Sequence, residues 1–399
     1  MIKPDSKLGE LFILSGTRTA IGKYGGGLAG VPPCDLAAAV VAEAVRRAEV
    51  EPSAVGHCVF GNVIHTEPRD MYLARVAAVN GGLPVETPAF TVNRLCGSGL
   101  QAIVSAAQAI ALGDAEVAVA GGAESMSRGQ YWVPGLRWGQ RMRDGAVIDA
   151  MVGALTDPFD GCHMGVTAEN VATDYAVSRE DQDALAIESH RRAAEATDAG
   201  YFTEQIMPIE VPARKGTTTF ATDEQIRPGV TAEDMAKLRP AFAADGTVTP
   251  GNASGINDAA AAVVLASGTF TGRAGLAPLG RLVAYSHAGV EPRIMGMGPV
   301  PAVRKVLDRA GLKVDEIDVF EVNEAFAAQA LAVARELGLP PERTNPNGSG
   351  ISLGHPIGAT GAILVVKTLY ELRRTGGRYG LVTMCIGGGQ GIAAVFERA

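Results

Sequence analysis

Apolar residues along this chain change period several times, and each change predicts an element. Leu11 to Leu14 is a short apolar run read as a first strand. Asp35 is placed to cap a helix from Leu36 to Ala48, and Val55 to Val63 returns as a strand. Ala89 to Val92 is a further β-type run, and Leu100 to Leu112 is Ala-rich and helix-periodic. Between strand and helix lies T-V-N-R-L-C-G-S-G-L-Q, from Thr91 to Gln101.

The second part of the chain echoes the first. Pro301 opens a helix through Ala310, followed by G-L-K-V-D-E-I-D-V-F-E-V-N-E-A. Earlier, the helix is followed by A-E-V-E-P-S-A-V-G-H-C-V-F-G-N-V. Helix, acidic turn and strand recur at an offset of about 260 residues, which carries Cys96 close to His355. Each of these residues sits in a Gly-containing turn before a long helical run. A third pairing matches Gly255–Leu265 with Gly388–Glu397, both Gly turns leading into apolar strands. The duplication implies two similar α/β halves related by pseudo-twofold symmetry.

The first half is interrupted between about Met126 and Asn252, where Arg, Asp, Trp and Pro rise. The predicted division is residues 1–127 with 253–278 as one half, 128–252 as an inserted loop domain, and 279–399 as the other half. The insert holds a helix from Arg179 to Ala199, with Ser178 as cap, Glu180 and Asp181 in its first turn and Gly200 as its stop. Tyr131 to Gly145 carries both tryptophans; an exposed aromatic and Arg-rich loop suits a subunit interface, and a local core is the alternative.

Composition narrows the picture. The 399 residues suffice for two or three domains, and 50 glycines with only 5% aromatics suit tightly packed α/β layers. A net charge of −8 without a basic run argues against nucleic acid. No apolar run reaches about 18 residues without Gly or charge, so no membrane span is expected. Met1 to Leu11 shows neither a signal-peptide core nor a transit-peptide pattern, and the terminal F-E-R-A is not a peroxisomal address. Five widely spaced cysteines without a C-x-x-C pair point to a reducing cytoplasm and one or two functional thiols.

Cys96 is the first candidate for chemistry. A cysteine at a helix start faces the positive end of the dipole, which favours thiolate over the ordinary thiol pKa of about 8.5. Gly97 and Gly99 would clear space for a substrate carbonyl. The alternative is a small buried cysteine in a tight turn. The glycine-rich T-R-T-A-I-G-K-Y-G-G-G after the first strand contains neither phosphate-binding fingerprint and reads as a loop.

Five other stretches carry candidates: G-C-H-M-G-V-T-A-E-N (161–170), G-N-A-S-G-I-N-D (251–258), E-V-N-E-A-F-A-A-Q-A (321–330), N-P-N-G-S-G-I-S-L-G-H-P-I-G-A-T-G (345–361) and M-C-I-G-G-G-Q-G (384–391). Two cysteines, a histidine and an asparagine fall at strand ends of the two halves, where sites form in α/β sheets. Glycines exposing N–H groups beside them suit acyl chemistry on a thioester. His57, His65, His190 and His287 read as structural, and Cys162–His163 lacks further ligands for zinc.

In this order, and over nearly the whole chain, these motifs resemble the thiolase family, with the greatest likeness to bacterial biosynthetic acetyl-CoA acetyltransferases and short-chain β-ketothiolases. The resemblance implies two duplicated halves forming a five-layer αβαβα core, and a homotetramer built as a dimer of dimers. It implies that Cys96 is acylated, that His355 takes its proton, and that Cys385 removes a proton from the α-carbon of the incoming acetyl-CoA. Asn323 would hold a water that forms one oxyanion hole with His355, and the amides of Cys96 and Gly387 would form the other.

Along the same tunnel the resemblance places Ser254, His163 and Met164 beside the pantetheine arm and Arg227 near the adenine. Leu155, Phe242, Ala325 and Phe326 line the tunnel. Asp234 and Pro250 are positions near it where relatives vary.

The implied reaction is reversible condensation of two acetyl-CoA to acetoacetyl-CoA and CoA. No metal or other cofactor is implied, and coenzyme A enters as part of the substrates. Alternatives are a thiolase acting on longer 3-ketoacyl-CoA, a decarboxylating ketoacyl synthase, a cysteine hydrolase and a non-catalytic lipid-binding protein of the same fold. Cys96 and Cys385 together favour the condensing enzyme.

Overall fold

The computed structural model describes residues 10–213 and 216–399, so the reading of the first nine residues lies outside the described chain. In the first half, β1 (Leu11–Arg18), β2 (His57–Gly61), β3 (Ala89–Val92), β4 (Val117–Ser125) and β5 (Asn257–Ser267) alternate with α1 (Pro33–Arg47), α2 (Leu73–Asn80) and α3 (Ser98–Leu112). Between β4 and β5 lie α4 (Met164–Asp174) and α5 (Arg179–Asp198). The second half holds β6 (Gly280–Gly289), α6 (Pro299–Ala310), β7 (Val319–Val322), α7 (Ala327–Leu337), α8 (Thr360–Thr375), β8 (Tyr379–Ile386) and β9 (Gln390–Arg398).

The halves repeat closely. β7 begins at Val319 against His57 in β2, α8 at Thr360 against Ser98 in α3, and β8 at Tyr379 against Val117 in β4, each 262 residues later. Strand order runs β1-β5-β4-β2-β3 in one half and β6-β9-β8-β7 in the other. The two are hydrogen-bonded into one ten-stranded sheet through Phe12↔Arg281 and Ile13↔Gly280, with Gly22–Lys23 as a short strand beside β5.

α3 and α8 form the central layer. α3 packs on β4 and β2 and on α8, and α8 on β8 and β5, while α1 covers the other face of the first half and α6 that of the second. Both central helices are therefore buried nearly all round; α3 is mostly apolar, and on α8 the buried Lys367 pairs with Glu321 at 2.8 Å. By length and composition the window Leu95–Leu112 is apolar enough to cross a membrane, but most of it is buried in this layer. β5 is a continuous run of small apolar residues because helices cover both its faces.

The central layer depends on two glycines at equivalent positions. A Cβ on Gly99 would lie 2.7 Å from the Ala362 nitrogen, and one on Gly361 would lie 2.2 Å from the Leu100 nitrogen. The first turns of α3 and α8 thus touch backbone to backbone.

Two boundary readings change. The N-cap of α1 is Pro32; Asp35 lies inside the first turn and pairs with Arg69 instead of capping. Strand β1 runs on to Arg18, whose buried guanidinium pairs with Asp223 at 2.8 Å. On α5, Ser178 Oγ accepts the Asp181 N–H at 3.1 Å, as a cap does. Among the described residues between Met126 and Asn252, no strand joins the large sheet. Trp132 and Trp138 are 54% and 88% exposed, so they fill no local core in the single chain.

Candidate active site

The Cys96 turn is locked by its own neighbours. Asn93 Oδ1 accepts the Leu95 N–H at 2.9 Å. Ser98 Oγ accepts the Arg94 N–H at 2.8 Å and donates to the Leu95 carbonyl at 2.7 Å. Leu95 is held at φ 45°, a left-handed conformation that costs an L-residue roughly 1–2 kcal/mol. This bend presents Cys96 just ahead of α3, whose N-cap is Gly97.

The electrostatics correct the expected thiolate. Burial pushes the Cys96 thiol up to about 11; the amides of Gly387 and Cys96 itself oppose this, and Glu124 reinforces it. Desolvation outweighs the helix start, so the resting group is a thiol that needs a base. The glycine reading changes as well. Gly97 is closed by Ile386, 2.7 Å from where its Cβ would be, and Gly99 by α8. These glycines admit protein, not substrate.

His355 is gripped from three sides. Its backbone N–H donates to Asn257 Oδ1 at 2.9 Å. Its Nδ1 lies 2.7 Å from Thr360 Oγ1, which itself donates to the Pro356 carbonyl at 2.9 Å. The hydroxyl has one proton and spends it on Pro356, so it accepts from Nδ1–H. The proton on Nδ1 leaves Nε2 as an acceptor, and the Asn323 Nδ2 amide donor faces it at 3.3 Å. Burial lowers the imidazole to about 4, so it is neutral near pH 7 and ready to accept a proton.

Asn323 follows β7, with its N–H on the Thr383 carbonyl at 3.0 Å. Its Oδ1 is buried without a hydrogen bond from any described residue. Cys385, near the end of β8, is buried, and burial together with neighbouring Cys96 pushes its thiol well above the ordinary range. Gly387 aims its amide at the Cys96 sulfur, beside the amide of Cys96. Those two N–H groups converge on one point.

A cleft of about 560 Å³ opens onto this cluster. Cys96, His355 and Gly387 line it, with Leu155, His163, Met164, Arg227, Phe242, Ser254, Ala325 and Phe326. Asn323 and Cys385 do not line it; both are wholly buried. His163 caps α4, its Nδ1 accepting the Gly165 N–H at 3.0 Å, and stacks on Phe242 at 4.7 Å. Phe242 meets Phe326 edge-on at 6.1 Å, and Ser254 N–H donates to the Ala325 carbonyl at 2.9 Å. These contacts give the cleft a firm, mostly apolar wall suited to a long, thin ligand arm.

Asp234 is not on this wall. It closes a capping box with Thr231 on an exposed short helix, whereas Pro250 does line the cleft. His190 proves more specific than a filler, since its Nδ1 accepts the Arg227 N–H at 3.1 Å. Residues not singled out in the sequence also contribute: Thr360 and Asn257 around His355, and Met295, Lys23 and Tyr24 on the wall. Thr360 and Asn257 lie inside quoted motifs, but their partners are far away or on the next turn. Among the described residues no group of three or more His, Cys, Asp or Glu side chains is arranged to hold a metal.

A duplicated α/β scaffold with a cysteine and a neutral imidazole at the foot of a deep apolar cleft, and a second thiol buried beside that cysteine, defines an acyl-transferring enzyme. The chain belongs to the thiolase family: residues 11–269 match the thiolase N-terminal domain and residues 276–398 the thiolase C-terminal domain. It is 64% identical to the β-ketothiolase BktB of Cupriavidus necator, over 98% of this chain and 99% of that one. It is 50% identical to an acetyl-CoA acetyltransferase of Chromobacterium violaceum, over 98% of this chain and 100% of the other. The crystal structure of the Bacillus anthracis acetyl-CoA acetyltransferase superposes with a TM-score of 0.96 at 46% identity, covering 98% of this chain and 99% of that one.

Proposed function

We propose that this thiolase condenses two molecules of acetyl-CoA to acetoacetyl-CoA and CoA, reversibly, through an acyl-cysteine on Cys96. The observation that carries the reading is the meeting of Cys96 and His355 at the foot of one cleft, with the buried Cys385 thiol next to Cys96. The cleft's volume of about 560 Å³ suits a pantetheine arm, with Arg227 on its wall for the nucleotide end. His355 Nε2 takes the Cys96 proton as the sulfur attacks the thioester carbonyl, and the amides of Cys96 and Gly387 receive the oxyanion. CoA leaves as the thiol, taking back the proton, and Cys96 remains acetylated.

Cys385 then passes its proton to His355 Nε2, and the resulting thiolate takes an α-proton from a second acetyl-CoA. Its enolate oxygen is met by His355 and by a water held on Asn323 Oδ1. The carbanion attacks acetyl-Cys96, forming the carbon–carbon bond and expelling the Cys96 thiolate, which takes the proton from His355. Two oxyanion sites serve two carbonyls, each well-placed donor contributing about 3–4 kcal/mol. Coenzyme A takes part only as a moiety of substrates and product.

A second reading, thiolysis of longer 3-ketoacyl-CoA, is favoured by the name of the 64% identical relative, a β-ketothiolase. We further propose a cytoplasmic homotetramer serving short-chain acyl metabolism. The exposed loop with Tyr131, Trp132, Leu136, Trp138 and Met142 supports the assembly. Initial rates of condensation and thiolysis across an acyl-CoA series test the function. Peak kcat/KM at four carbons supports the acetyltransferase; a peak at eight or more supports the longer-chain reading.

A further inference from the structure

Glu124, near the end of β4, is completely buried, and among the described residues no Lys or Arg side chain is a hydrogen-bond partner of it. Four donors surround its carboxylate. Oε1 accepts the Ile64 N–H at 3.0 Å and Asn62 Nδ2 at 3.1 Å. Oε2 accepts the Val63 N–H at 3.1 Å and the Gly358 N–H at 2.9 Å. All four are N–H groups, so a protonated carboxyl would find no acceptor among them, and the cage is built for the charged form.

The position of the fourth donor matters most. Gly358 lies in the same turn as His355 and Thr360, and it belongs to the second half of the molecule, whereas Asn62, Val63 and Ile64 follow β2 in the first. The carboxylate therefore ties the turn carrying the base to the half carrying the nucleophile. The fit is close: a Cβ on Gly358 would lie 2.5 Å from Oε2.

We propose that Glu124 is a positioning residue for the acyl transfer. Its carboxylate seats the His355 turn against Cys96, and its charge sets the field at the sulfur. The tie acts through His355, since Glu124 does not line the cleft.

Several titratable groups share this region. Asp70 acts on Glu124, Glu124 acts on Cys96, and Cys96 acts on Cys385. For His355 burial is the cause that moves it. Burial raises Glu124 to about 8 and Asp70 adds to this, while the Ile64, Val63 and Gly358 amides pull it back. When ionised, Glu124 disfavours a thiolate on Cys96, so the nucleophile stays a thiol until His355 takes its proton in the presence of substrate.

The inference rests on the proposed roles of Cys96 and His355, and its test separates the two. Acetyl labelling of Cys96 in the unaltered enzyme reports on those roles. Alkylation of Cys96 by iodoacetamide at about pH 9.5, where Glu124 is ionised, followed on its peptide by mass spectrometry, reports on the Glu124 charge without needing turnover. Glu124→Gln places an amide NH₂ among N–H donors and removes the charge. Its kcat falls roughly 100-fold with KM little changed, and Cys96 alkylates at least about fivefold faster. Glu124→Asp keeps the charge but falls a methylene short of the cage, so kcat falls while alkylation stays at the unaltered rate.

Equal alkylation in Glu124→Gln and the unaltered enzyme, or equal acceleration in both variants, overturns the inference. Should Glu124→Gln not fold, Gly358→Ala displaces the turn with the charge kept. Lost kcat with unaltered alkylation then supports the proposal, and full activity overturns it.

Discussion

The two central turns, one before α3 and one before α8, occupy equivalent places in the duplicated halves but present opposite chemistry. The Cys96 turn is bent by a left-handed Leu95 and surrounds a sulfur with backbone amides. The His355 turn grips an imidazole through Asn257, Thr360 and Asn323. Burial acts on both and pushes them apart, the thiol up to about 11 and the imidazole down to about 4. Both groups therefore rest neutral. The pair exchanges a proton only when a thioester takes up the developing negative charge. One scaffold, used twice, supplies a donor and an acceptor that face each other because Gly99 and Gly361 let their helices touch.

The largest test of this division is Cys96→Ser. A hydroxyl is a far weaker nucleophile beside the same base, and kcat is expected to fall roughly 10⁵-fold with coenzyme binding retained. Steady-state rates and CoA-analogue titration check both parts. Next comes Thr360→Val, which frees the imidazole to put its proton on Nε2. Here kcat falls about 10- to 100-fold, and Thr360→Ser restores most of it. An unchanged rate in the valine variant would show that the tautomer is fixed some other way.

Smaller still, and on stability, is Gly361→Ala. Its Cβ would meet α3 backbone, so thermal unfolding should move down by an amount corresponding to about 1–3 kcal/mol or more. Gly376→Ala is no control for this, because Gly376 has φ 77°. Gly272→Ala, with open space around the Cβ, is the proper one.

The acid limb of stability is a gradual effect that builds up with falling pH. His190, His287 and His355 are each lowered by burial to about 4. Their folded values lie below the unfolded value of about 6.5, so the unfolded chain binds protons first as pH falls. Stability is complete above pH 6.5 and declines between about 6.5 and 4, by on the order of 1 kcal/mol per pH unit for each histidine. Urea unfolding at pH 7, 6 and 5 measures it; a flat midpoint would contradict the burial assigned to these rings.

Much of the architecture was readable in the chain. The repeat of helix, acidic turn and strand announced the duplication, because core-facing periodicity is a local property. The candidate site was readable as motifs for the same reason: Gly-flanked Cys, His and Asn mark strand ends. What was not readable depended on partners distant in sequence. The thiolate expected at Cys96 came from a helix start, a local feature, and was overturned by burial, a global one. Gly97 and Gly99 looked like room for substrate until Ile386 and α8 were seen against them. Glu124 gave no sequence signal at all, since its role arises from Gly358, 234 residues away.

The central claim, a thiol nucleophile in one half served by a base in the other, is tested most directly by trapping the acyl-enzyme. Incubation of the Cys385→Ser variant with isotopically labelled acetyl-CoA, followed by peptide mass spectrometry, should show one acetyl group on Cys96. Added CoA should discharge it, because the first half-reaction needs only Cys96, His355 and the two amides. No label on Cys96, or a label on another residue with Cys96→Ser fully active, would contradict the account.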